Sequence, residues 1–170
     1  MKAKNYRSIR GQLYTRREYI KATPHIRIVK FEMGQENEDY DVELKVVANE
    51  RVLMRDNALE ALRISANKNL SRKVGSDYHL KIVVYPHHIL REHKYMTGAG
   101  ADRLSDGMSH AFGKVVGRAA AINKGQAILS VKTFAENVEN AMEALKVARS
   151  KVPKGAKILV ATLAEKNKES

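Results

Sequence analysis

Between Val42 and Leu70 the apolar residues change their spacing, and that change limits the folds open to the chain. Val42, Leu44, Val46 and Ala48 alternate with Glu43, Lys45 and Asn49, the period of a strand with one buried face. From Asn57 the interval lengthens, so that Leu59, Leu62, Ala66 and Leu70 fall on one side of a helix. Asn57 with Glu60 has capping-box spacing, and Gly75 after Val74 suits a left-handed exit near the helix end. A strand followed directly by a long amphipathic helix calls for a sheet with helices packed on it.

The rest of the chain repeats these two periods in irregular order. Ile26–Met33 reads as a first strand, with less regular alternation, and Leu80, Ile82 and Val84 as another, closed by Pro86. Val115–Ile122 and Ala127–Thr133 read as two strands joined by a hairpin turn at Asn123-Lys124-Gly125. Thr133 and Glu136 have the spacing of a second capping box. They open a helix whose apolar stripe is Val138, Met142, Leu145, Ala148 and Val152. Pro153 and Gly155 stop it, and Lys157–Leu163 supplies a last strand. The expected fold class is α+β: one single-domain α/β sandwich with two main helices over residues 1–164, then a charged tail at 165–170.

Charge is distributed unevenly over this frame. The chain carries 31 Lys and Arg against 19 Asp and Glu, a net +12 with a pI near 9.9. Nine of the cations and only one carboxylate, Glu18, lie in residues 1–30, whereas residues 31–60 hold nine carboxylates and three cations. A basic arm over residues 1–25 followed by an acidic stretch implies one face for a polyanion and another for solvent. Within the arm, Lys4, Arg7, Arg10, Arg16, Arg17 and Lys21 are interleaved with Tyr6 and Tyr14. Cations meet phosphates and tyrosine rings stack on unpaired bases, so these eight residues are the expected RNA contacts. Neutralising about eight phosphates there would give a log–log salt slope on the order of −6 to −7.

Enzyme chemistry finds no foothold. With no cysteine there is no disulfide, thiolate zinc site or thiol nucleophile, and no cofactor is expected. Gly98-Ala99-Gly100-Ala101-Asp102-Arg103 fails as a dinucleotide fingerprint because Arg103 stands at the third glycine. Gly107 to Lys114 fails as a phosphate loop: five residues separate Gly107 from Gly113, and Val115 replaces the magnesium-binding hydroxyl. His87, His88 and His93 make a poor metal set, since adjacent His87 and His88 point to opposite sides of an extended chain. Ser105, Asp106 and His110 are crowded into one loop that cannot preorganise a triad. The N-terminal run lacks the apolar stretch of a signal peptide, and no segment is apolar for long enough to cross a bilayer, so a soluble intracellular protein with no membrane partner and no small-molecule substrate is expected.

Residues 96–114 hold Gly98, Gly100, Gly107 and Gly113 with few large apolar side chains. Such a segment is expected to be a flexible loop that a partner orders.

This loop also carries a resemblance. The run Ala99 to Lys114, AGADRLSDGMSHAFGK, resembles the central signature of a large-subunit ribosomal protein family, called L-ten-e in archaea and eukaryotes, with L-sixteen its bacterial counterpart. Tyr6-Arg7 and Tyr14 to Ile20 resemble the family's basic arm. Tyr85-Pro86 with His88, Leu90 and Arg91 resembles its approach to the loop, and Gly125 to Val131 and Glu143 to Lys146 its last hairpin and helix. The ADRL portion is closer to the archaeal and eukaryotic branch. The resemblance implies a hammerhead-like strand arrangement and a structural role on large-subunit rRNA, among neighbouring ribosomal proteins, near the A-site tRNA of a cytoplasmic ribosome. It adds His88 and Arg91 to the RNA-binding set. It also implies that the loop, through Gly98, Gly100, Asp102, Arg103, Gly107, Met108, Phe112, Gly113 and Lys114, points towards tRNA and the peptidyl transferase region. Ser109-His110 stand where the family usually has Arg-Gly, and Val115 where it has Pro, which removes one loop cation. The alternative function is an extra-ribosomal RNA chaperone or regulator of the same fold.

Overall fold

Helix α1 (Asp56–Lys73) forms where the spacing of three and four begins, and its buried residues include Leu59, Leu62, Ala66 and Leu70. In this computed structural model, which describes residues 1–94, 98–100 and 107–163, the helix ends at Val74 and the chain leaves through Gly75 at φ +80°. The start differs from a capping box. No side chain caps the helix; instead Asp56, inside the first turn, accepts the Asn57 N–H at 2.9 Å and the Arg27 N–H at 3.2 Å. Glu60 pairs with Arg63, both side chains being largely buried, and the Arg63 Nε and Nη2 donate to it at 2.8 and 2.5 Å. Asp56, in the first turn, sits where the helix dipole favours negative charge.

The same contacts correct the first strand. The expected run Ile26–Met33 is extended, but only β1 (Glu32–Gly34) enters a sheet. Upstream, the Arg27 and Val29 amides donate to Asp56 and Glu60, so this backbone is satisfied by helix side chains and not by a strand.

Strands β2 (Val42–Ala48), β4 (Tyr78–Ile82), β7 (Ala127–Thr133) and β8 (Ala156–Thr162) complete an antiparallel sheet in the order β1-β4-β7-β2-β8. Its register stacks Leu44, Val131 and Leu80 in one cross-strand row and Val46, Leu129 and Ile82 in the next. These rows are buried together with the apolar face of α1 and with Ala141, Ala144, Leu145 and Ala148 of α2 (Val138–Arg149), so both helices lie on one face of the sheet. Small Ala141 and Ala144, absent from the expected stripe, let α2 approach closely. An ion pair between Lys73 and Glu143 joins the helices. No side chain caps α2 either: Thr133 is fully buried and donates to the Asp77 carbonyl at 3.0 Å, and a 3-10 turn at Ala135–Asn137 leads into the helix.

The second sheet contains two strands without a clear period, β3 (Val52–Arg55) and β5 (His88–Glu92), on either side of β6 (Lys114–Ile122). This overturns the hairpin. Asn123-Lys124-Gly125 is a turn, with Gly125 at φ +80° and the Gln126 N–H on the Asn123 carbonyl, but it carries the chain from one sheet to the other. The Gly125 N–H donates to the Ala48 carbonyl and the Ala48 N–H to the Gln126 carbonyl, which pins the turn to the end of β2. The fold is therefore mixed α+β, with two helices and two antiparallel sheets.

Candidate nucleic-acid interface

Alternation along the three-stranded sheet separates its faces. Val52, Met54, Ala120 and Ile122 join the main core, whereas Leu53, Leu90 and Ala119 form a small second cluster on the opposite face. The arm covers that cluster. Met1, Tyr6, Ile9 and Leu13 turn inward onto it, and the Leu53 N–H donates to the Arg7 carbonyl at 2.9 Å. With the apolar side chains used this way, Lys4, Arg7, Arg10, Arg16, Arg17 and Lys21 are all exposed. Tyr6 is half-buried, with the Arg55 guanidinium 5.8 Å from its ring, while Tyr14 stays 72% exposed.

The arm then passes round β5, an edge strand of its sheet. Thr15 Oγ1 lies 3.3 Å from Nδ1 of His88, a half-buried side chain whose pKa burial pushes below the usual 6.5. Arg16 sits in the left-handed region at φ 52°, and the 3-10 turn Arg17–Tyr19 follows. Arg91, on β5, ties arm and loop together, its guanidinium donating to the Tyr19 carbonyl at 3.2 Å and the Gly113 carbonyl at 3.1 Å.

Around that junction, cations and rings alternate. Arg91 lies 4.4 Å from the Phe112 ring centre, Phe112 meets Tyr19 edge-on at 5.8 Å, and Arg16 stands 5.4 Å from the Tyr19 ring. Tyr19 and Phe112 are 58% and 60% exposed. Gly113 lies so close to β5 that a Cβ there would come within 2.7 Å of the Glu92 carbonyl carbon, and the loop's last residue, Lys114, is the first of β6. His93 Nε2 reaches the Gly107 carbonyl at 2.8 Å. Met108 is exposed, as are Gly98 and Gly100, whereas Asp102 and Arg103 lie outside the described residues. Among the described residues no cluster of His, Asp or Glu could hold a metal.

The comparisons with known proteins decide the family. The family described as ribosomal protein L16p/L10e matches residues 9–159. The chain belongs to it. It is 49% identical to the large ribosomal subunit protein uL16 of Methanoculleus marisnigri over 92% of this chain and 93% of that one. It is 52% identical to uL16 of Staphylothermus marinus over 92% and 91%, and 53% identical to uL16 of Archaeoglobus fulgidus over 86% and 85%. The L16p/L10e family is one of ribosomal proteins and not of enzymes, in line with the absence of catalytic chemistry from the sequence.

In this L16p/L10e chain the residues singled out by sequence separate into two groups. Arg16, His88, Arg91, Phe112 and Gly113 come together where arm, β5 and loop meet. Lys4 and Arg7 are exposed elsewhere on the arm, whereas Arg10 and Tyr14 line a cavity of ≈ 540 Å³ together with His88 and Arg91. Tyr19, a further member of the junction, was recognisable as one more aromatic in the cation-rich run. Tyr85 entered only through the resemblance of Tyr85-Pro86, and Arg55 and Arg118 had no such signal. Tertiary structure alone sets Arg55 beside Tyr6, and Arg118 Nη1 3.4 Å from the Tyr85 hydroxyl.

Proposed function

We propose that this L16p/L10e protein is a structural constituent of the large ribosomal subunit, held there by large-subunit rRNA and neighbouring ribosomal proteins. The observation that carries the reading is the orientation of the arm: Met1, Tyr6, Ile9 and Leu13 seal a sheet while its seven cations, Lys2 among them, face solvent beside the exposed rings of Tyr19 and Phe112. Exposed guanidinium and ammonium groups take phosphates, and Tyr19 and Phe112 offer faces to unpaired bases, the combination that suits irregular RNA. The protein's place is then the ribosome of the cytoplasm; no helix among the described residues is long and apolar enough to cross a membrane.

A finer assignment follows from the position of the loop. Gly107 and Gly113 both lie beside β5, so whatever this end of the loop meets lies next to the RNA-facing junction. We assign Gly98, Gly100, Asp102, Arg103, Gly107, Met108 and Phe112 to the approach towards A-site tRNA and the peptidyl transferase region, with Gly113 and Lys114 fixing its base. Cosedimentation tests the whole reading. The protein should remain on large subunits after a high-salt wash. Release from the particle with retained binding to free RNA would instead favour an extra-ribosomal chaperone.

A further inference from the structure

A concavity lies on the other side of β5 from the arm's apolar cluster. His88 and Leu90 share the face that the arm seals, so Ile89 and its β6 partner Arg118 belong to the opposite one. There a cavity of ≈ 260 Å³ opens between Ile20 and Ile89 below, Tyr85 and His87 at the side, and Arg17 and Arg118. It is smaller than the roughly 300–1,000 Å³ of clefts that hold drug-sized ligands, so it admits one planar group and not a length of strand.

Its aromatic wall is fixed in advance. Tyr85 stacks on Phe31 at 5.5 Å with the planes 19° apart, and His87 lies 4.6 Å from the Tyr85 ring. Tyr85 is 40% exposed even so. The charges are uncompensated: no carboxylate lines the cavity, and among the described residues neither Arg17 nor Arg118 forms an ion pair. The Arg118 Nε is buried without a hydrogen-bond partner. Two like charges beside an unsatisfied donor favour an anion. A bare anion would leave the aromatic wall and isoleucine floor unused, whereas a nucleotide uses both.

We propose that this cavity receives one unpaired nucleotide of the bound RNA, its base against Tyr85 and His87 and its phosphate between Arg17 and Arg118. The assignment rests on the RNA-binding reading above and names a contact within it.

Binding of the full chain to a short fluorescent oligoadenylate, to an abasic oligomer of equal length and to large-subunit rRNA tests it. His87→Ala and Tyr85→Leu should each weaken oligoadenylate binding roughly tenfold and leave the abasic oligomer unaffected, because stacking is lost and phosphate contact kept. Arg118→Gln should weaken both and reduce the salt slope by about one. His87 is exposed, so its variant keeps the test valid should Tyr85→Leu fail to fold. Equal losses on both oligomers from the aromatic variants, or none on either, would overturn the proposal. Displacement of the oligomer by adenosine monophosphate at equal concentration would make this a free-nucleotide site and overturn it too. Wild-type rRNA affinity in all three variants removes only the cavity, whereas a wild-type chain that binds no RNA removes the functional reading beneath it.

Discussion

Gly113 fixes how closely the base of the loop meets β5. A methyl group there would press on the Glu92 and His93 backbone at 2.7–2.8 Å, and a backbone neighbour has little room to give. Gly113→Ala should therefore cost about 1–3 kcal/mol in urea unfolding, and an unchanged midpoint would show the junction to be looser than described. His88 makes a pH prediction with a definite sign. Its pKa is lowered by burial, so the folded state binds that proton less readily than the unfolded chain. The corresponding stability is full above the ordinary value of 6.5 and drains away as pH falls below it, towards the folded value. Thermal unfolding of the wild type should drop relative to His88→Gln as pH falls from neutrality towards 5; parallel curves would refute it.

At the level of elements, local pattern fixed identity better than partnership. The buried face of α1 follows from spacing alone, and Leu59, Leu62, Ala66 and Leu70 are buried as that spacing requires; β2 departs from the expected strand with one buried face, because Glu43 and Val47 on its other side are buried as well. Leu62→Ala should cost about 2–5 kcal/mol by calorimetry, and a loss well below that would place the helix face elsewhere. Asn123-Lys124-Gly125 was legible as a turn, but turn chemistry carries no record of which sheet receives the next strand. β3 and β5 were not legible: in Val52-Leu53-Met54 one residue faces the second cluster and its neighbours the main core, so no polar side alternates with an apolar one. The arm's cations were readable as a surface because its aliphatic residues are few, and Met1, Ile9 and Leu13 are taken up with Tyr6 against the sheet. Tyr85 and Arg118 became neighbours only through the β5–β6 register and the bend before it. Removing residues 1–13 should expose Leu53, Leu90 and Ala119, lower the melting temperature and promote aggregation; an equally stable, monomeric truncation would show that the arm does not seal the sheet.

Across the whole molecule, the division of labour is between a core built from the five-stranded sheet with its two helices and a smaller sheet wrapped by the basic arm. The L16p/L10e chain places the net +6 of arm residues 1–25 on this smaller side, while the acidic stretch 31–60 contributes Glu43, Asp56 and Glu60 to internal hydrogen bonds and ion pairs. Glu43, for example, accepts a 2.7 Å bond from Ser130 and pairs with Lys45 at 3.0 Å. Positive charge therefore faces outward where the fold can spare it. The direct test is the salt dependence of binding to large-subunit rRNA, measured for the wild type and for a variant with Arg7, Arg10, Arg16 and Arg17 changed to Gln. The wild-type log–log slope should be on the order of −6 to −7, and the variant's shallower by about three to four units. Identical slopes in the two proteins, or a wild type indifferent to salt, would contradict the account.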